Sequence, residues 1–186
     1  VLEQKTIGAI LGRQAVVQSV IAGLIGLGLV MVFMILIYGW KGVIACVALV
    51  FYAIFTVAIY KLLGVTLTLP GIAGLILSIG MAVDANILIF ERMKEEQRLA
   101  KPFSVAMELG FGKAWESIKD ANVVTILTAL VLINPLNLSF LNTSGSVRGF
   151  GVTLLIGVVL GLFTGIFVTR TLMRLFLKDT YKGKSV

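Results

Sequence analysis

Four stretches of this chain run for about twenty residues with almost no charge: 15–37, 42–60, 70–90 and 149–169. As helices, such runs are long enough to cross a hydrocarbon layer of about 30 Å. Lipid offers no hydrogen bonds, so a backbone crossing it must satisfy its own polar groups. A helix does this within one segment. Hydrophobic residues make up 59% of the chain, against roughly 45–50% in soluble domains. The predicted class is therefore all-α, a polytopic membrane helix bundle.

A fifth run, 121–133, is apolar but only thirteen residues long. Extending it backwards through Trp115 lengthens it, whereas Pro135 discourages extension forwards. The positive charges argue that it crosses. With five spans, at about 15–37, 42–60, 70–90, 119–133 and 149–169, one side holds Lys41, the six basic residues from Arg92 to Lys119, and Arg170, Arg174, Lys178, Lys182 and Lys184. That is twelve of the sixteen Lys and Arg. Lys5, Arg13, Lys61 and Arg148 fall on the other side. Basic residues concentrate on the cytoplasmic face of membrane proteins. This places residues 1–14 outside, as a linker from an upstream extracytoplasmic region, and 171–186 inside, as a basic cytoplasmic tail. The net charge of +7 thus reads as topology rather than as a nucleic-acid surface. Val1 is not an initiator residue, and the expectation is a piece of a longer polypeptide.

Between the third and fourth spans, Phe103, Ala106, Met107, Gly110, Phe111, Ala114, Trp115 and Ile118 recur at helical spacing. Residues 103–118 are predicted to form an amphipathic helix lying along the cytoplasmic interface. The stretch "ERMKEEQR" before it is predicted to carry the third helix into water, with Arg92 and Glu96 as an i,i+4 pair. It reads as a solvated connector rather than a binding site.

On the third helix, Ile76, Ile79, Val83, Ile87 and Phe90 share an arc suited to lipid. Gly71, Gly74, Ser78 and Ala82 occupy the rest of the wheel with Asp84 and Asn86, and small residues let helices approach closely. Asp84 and Asn86 fall on opposite flanks and address different neighbours. Gly80, one turn before Asp84, leaves space beside the carboxylate. The last helix carries Thr153, Gly157, Gly161, Gly165 and Thr169 at four-residue spacing, a packing stripe. Thr125 and Thr128 are expected to bond within their own helix.

Asp84 is the one acidic residue inside the apolar runs. A charged Asp near a helix centre costs about 2.5–3.5 kcal/mol, and such residues normally face a bundle interior and handle ions or protons. Burial raises a carboxyl pKa toward the range where a proton is exchanged. The apolar runs hold no Lys or Arg, so a fixed counter-charge has to come from another chain. The alternatives are a static interhelical pair and a carboxylate shallow enough to reach cytoplasmic water. There is no His, and the single Cys46 lies in an apolar run. No metal site, cofactor site, nucleophile–base pair or phosphate loop is expected, and so no ordinary enzyme activity.

The stretch "GMAVDANILIFERMKEE" closely resembles the fourth-helix motif of the SecD proteins, in the SecD/SecF protein-export family of the RND superfamily. "EQKTIGAILGRQ", "LTLPGIAGLILSIG", "GFGKAWESIKDANVVTILTAL" and "GSVRGFGVTLLIGVVLGLFTGIFVTRTL" resemble other segments of that family, covering nearly the whole chain. The resemblance implies helices two to six of a six-helix repeat, with the first helix and a large periplasmic domain upstream. It implies a multi-pass subunit of the bacterial inner membrane that uses the proton-motive force in late protein translocation. A SecF-like subunit, the SecYEG channel and the translocating precursor would be its partners, beside the lipid. Asp84 takes the position of the family's proton-relay aspartate, with Asn86 as a supporting polar contact. One departure is "INPLNLSFLNTSGS", longer and more polar than the family pattern. Half of an RND-type small-molecule exporter and a passive scaffold are the competing readings.

Overall fold

The computed structural model describes residues 9–137 and 144–182, with side chains described for 14–137 and 144–176. Its elements are α1 (Ala9–Tyr38), α2 (Trp40–Leu63), α3 (Leu69–Arg98), α4 (Phe103–Ile133), α5 (Gly145–Phe163), a π-helical turn (Thr164–Val168) and α6 (Thr169–Lys182). The described residues form a bundle with no strand. Among the described residues, four helices are long and apolar enough to cross a membrane, and α4 is not one of them.

The turns follow local chemistry. Gly39, at φ +56°, allows α1 to reverse into α2. The hairpin then closes so tightly that a Cβ on Gly42 would lie 2.1 Å from the Met34 carbonyl oxygen. Gly64 ends α2 in the left-handed conformation, as glycine readily does. Thr68 caps α3, its hydroxyl accepting from the Gly71 N–H at 3.2 Å, and Pro70 sits in the first turn where no N–H is needed.

Helix α3 is the axis of the bundle. Its most extensive packing is with α5, followed by α4. Gly157 meets Ser78 and Gly161 meets Ala82, where added Cβ atoms would lie 2.2 Å from the Ser78 hydroxyl and 3.2 Å from the Ala82 methyl. Buried hydroxyls tie in α2. Tyr52 and Ser78 share a 2.7 Å hydrogen bond, and Tyr60 donates to the Thr153 carbonyl at 3.2 Å. Helix α1 is peripheral, its side chains from Val17 to Leu36 largely open.

The structure departs from the sequence reading in several places. Residues 9–14 belong to α1 rather than to a linker. Residues 103–133 form one unbroken helix instead of an interfacial helix followed by a separate span. Gly110 does not interrupt it because it is a contact point, lying against Met93. The last helix does not end near residue 170 but passes through the π turn and runs on to Lys182. The arc assigned to lipid is largely internal: Val83 and Phe90 are buried in the core shared with α1 and α2, because that hairpin packs on this side of α3. Part of the "INPLNLSFLNTSGS" stretch, residues 138–143, lies outside the described residues.

Candidate functional site

The open face of α3 is a stripe of Ala73, Leu77, Gly80 and Asp84, all exposed in this chain. Asp84 was expected to face the bundle interior. It lies on this open stripe instead, because the small residues that bring α5 close (Gly74, Ser78, Ala82) occupy a different side of the helix. Gly80 makes no packing contact: a Cβ there would meet nothing within 4 Å. Gly74, by contrast, lies against α5, where a Cβ would come 2.5 Å from the Thr153 hydroxyl.

Beside the stripe, α4 runs antiparallel to α3. Gly110 fits against Met93 and Lys113 reaches Glu96 at 2.5 Å. Followed down this register, a groove of about 70 Å³ is lined by Asp84, Leu88, Ser117, Ala121, Asn122 and Thr125, among others. Asp84 therefore lies level with the point where α4 changes character. Glu116, Lys119 and Asp120 are just on one side, and the apolar run from Ala121 begins on the other. Asn122 donates to the Ile118 carbonyl at 2.7 Å and Thr125 to that of Ala121 at 3.3 Å. Both side chains line the groove while bonding within their own helix, and Thr128 bonds likewise to Val124 at 2.9 Å.

Asn86 has the opposite surroundings. It is 3% exposed. Its amide donates to the Ala82 carbonyl at 3.2 Å and accepts from the Thr169 hydroxyl at 2.8 Å. Asp84 and Asn86 are not brought together. Gly165, the remaining member of the α5 stripe, falls in the π turn and lies against Ala85, 3.4 Å from a would-be Cβ.

Two ionic clusters on the charged side escaped the sequence reading. Arg92 pairs with Glu95 at 3.0 Å and not with Glu96. Glu96 turns inward, 1% exposed, and receives Lys101 and Lys113 at 2.5 Å each. The chain reversal at Pro102 delivers the first lysine and the α3/α4 register the second, so only tertiary structure could reveal the pairing. Glu108 of α4 receives Arg170 and, at 2.6 Å, Arg174, joining α4 to α6. The hydrogen bonds from Arg174, above all, hold the Glu108 carboxyl below the ordinary glutamate range, with Arg170 adding to them against partial burial. Arg170 and Arg174, spaced i,i+4, were the available signal for a shared acidic partner.

Among the described residues, no group of three or more His, Cys, Asp or Glu is placed to hold a metal.

Residues 1–179 match the family model described as protein export membrane protein SecD/SecF, C-terminal. The chain is 48% identical over 179 residues to the protein translocase subunit SecD of Thermobaculum terrenum, covering 95% of this chain and 34% of that protein. It is 49% identical over 173 residues to the corresponding subunit of Synechocystis sp., covering 93% and 35%. It thus spans about a third of the length of these relatives. A crystal structure of SecDF in a super-membrane-facing form superposes with a TM-score of 0.74 at 37% identity, covering 87% of this chain and 21% of that one. The apolar bundle, the Asp84-bearing motif and these likenesses agree, and the chain belongs to the SecD/SecF family of protein export membrane proteins, matching its C-terminal region.

Proposed function

We propose that this chain is the membrane part of a SecD-type subunit that couples the proton-motive force to late protein translocation, with Asp84 as the group that takes up and releases the proton. One observation carries the reading. The lone carboxylate of the apolar runs stands on an open helix stripe, beside a groove lined from α4 by Ser117, Ala121, Asn122 and Thr125. An acid in an apolar span is costly unless a bundle interior or water receives it. A neighbouring subunit laid over Ala73, Leu77, Gly80 and Asp84 would enclose the carboxylate and supply its counter-charge. A SecF-like protein is that partner in this reading. The SecYEG channel and the precursor are met by the whole assembly, the precursor mainly through a region upstream of this chain. In this reading all five segments cross the bacterial inner membrane. The start of α1 lies outside, and α6 with the α3–α4 turn lies in the cytoplasm, on the strength of the charge asymmetry.

The test uses the full-length protein with its partner in energised membrane vesicles. Asp84→Asn keeps the shape but cannot titrate. It is expected to assemble normally and to lose the uncoupler-sensitive part of precursor translocation. Asp84→Glu is expected to keep part of it. An Asp84→Asn complex that responds to the uncoupler as the parent does would reduce Asp84 to a packing residue.

A further inference from the structure

The α5–α6 connection combines two features. One is the π turn at Thr164–Val168, in which the Thr169 N–H reaches back five residues to the Thr164 carbonyl. Single π turns inside helices are uncommon and often mark functional positions. The other is a hydrogen bond buried between helices, from the Thr169 hydroxyl to the side chain of Asn86 on α3, at 2.8 Å. Thr164, Thr169 and Asn86 are 2%, 0% and 3% exposed, so water does not substitute for a lost partner here.

The Thr169 hydroxyl has one proton and two acceptors within reach. Asn86 Oδ1 lies at 2.8 Å and the Thr164 carbonyl at 3.3 Å. It donates to one at a time. We infer that Thr169 is a two-position contact. Bonded to Asn86, it seats α6 on α3. Bonded to Thr164, it closes the π turn on itself and frees α3 from α6. Helix α6 is also held by packing against α2, with Met173 buried in the core, and by the Glu108 pair with Arg170 and Arg174 on α4. Helix α6 thus touches α3 at its root through Thr169, is tied to α4 at the next residue and again one turn further on, and rests against α2. A small rotation or slide of α3 is passed to the cytoplasmic face through the Asn86–Thr169 contact. Asn86 and Thr169 are positioning residues in this scheme. That Asp84 protonation is what moves α3 rests on the function proposed above, while the contact itself does not.

The experiment measures the distance between spin labels at Leu99 and Leu175, both exposed, in the full-length protein with its partner in lipid nanodiscs, every native cysteine replaced. Thr169→Val and Asn86→Ala are expected to add a second, shifted population. Thr169→Ser, which keeps the hydroxyl, should restore the single parental population. Thr169→Val and Thr169→Ser should likewise separate in uncoupler-sensitive translocation, the first losing most of it and the second little. Should Thr169→Val fail to assemble, Asn86→Ala alone decides. A parental distance distribution in Thr169→Val or, failing that, in Asn86→Ala would overturn the two-position contact. These distances are read without a proton gradient, so the contact and the proton role of Asp84 fail separately.

Discussion

Asp84 and Asn86 are two residues apart on one helix and have opposite surroundings. Asn86 is buried against α6 with both ends of its amide occupied. Asp84 stands on an open stripe beside an unfilled Gly80. About 200° of helical rotation separates them, enough to put one polar group in the interior and the other on the open face that the proposed reading assigns to a partner. The comparison teaches that polarity within an apolar helix has two uses, fixing a neighbour and awaiting one, and that position on the wheel tells them apart.

The sharpest way to break the comparison is to enlarge each flank in turn. Gly157→Leu drives a side chain into Ser78, where even a Cβ would lie 2.2 Å from the hydroxyl oxygen. Overpacking usually costs about 1–3 kcal/mol and occasionally more. Here the opposing atoms belong to a helix held on several sides, so loss of the folded subunit from detergent extracts is expected. Gly80→Leu enters open space. It should leave the thermal stability of the separated subunit unchanged while lowering the yield of its complex with the partner subunit, read by co-purification. Equal damage from both substitutions would mean that the two flanks are not distinct.

A smaller effect concerns the grip of α4 on α6. The Glu108 carboxyl titrates below the ordinary glutamate range in the folded protein. Its contribution is therefore complete above the unfolded pKa and is lost as pH falls through the lower, folded one. The pair is about two-fifths exposed on the Glu108 side, so screening keeps the effect modest. Acidification through and below the usual carboxylate range should loosen α6, seen as a growing distance between labels at Leu99 and Leu175. Glu108→Gln should be loosened already at neutral pH and show little further change. The mildest substitution is Val159→Leu on the exposed side of α5, where a shift in melting temperature within error is expected.

Much of the bundle was legible because membrane helices advertise themselves by length and hydrophobicity. The small-residue faces of α3 and α5 were legible because close helix contact admits few residue types. The separation of Asp84 from Asn86 followed from spacing alone. What eluded the sequence were facts of register. The arc from Ile79 to Phe90 looks like a lipid face, but leucines, isoleucines and phenylalanines serve equally well toward lipid and toward another apolar helix. Only the α1–α2 hairpin, folded onto it, decides. Glu96 looks like a surface partner for Arg92 until α4 brings Lys113 to it. Residues 103–133 look like two elements because their hydrophobic pattern changes partway, yet the backbone has no reason to break there.

That change of pattern has an electrical meaning. The apolar part of α4, residues 121–133, rises only about 20 Å along the helix axis, against about 30 Å for a full hydrocarbon layer. If α4 crosses as proposed, its charged residues draw water deep on one side, the insulator there is thin and the membrane voltage falls over a shorter distance. Asp84 lies level with the inner edge of that thin zone. In the proposed reading, a proton arriving there from outside has already descended most of the voltage, so that nearly all of about 2.3 kcal/mol per 100 mV is delivered before it reaches the carboxylate.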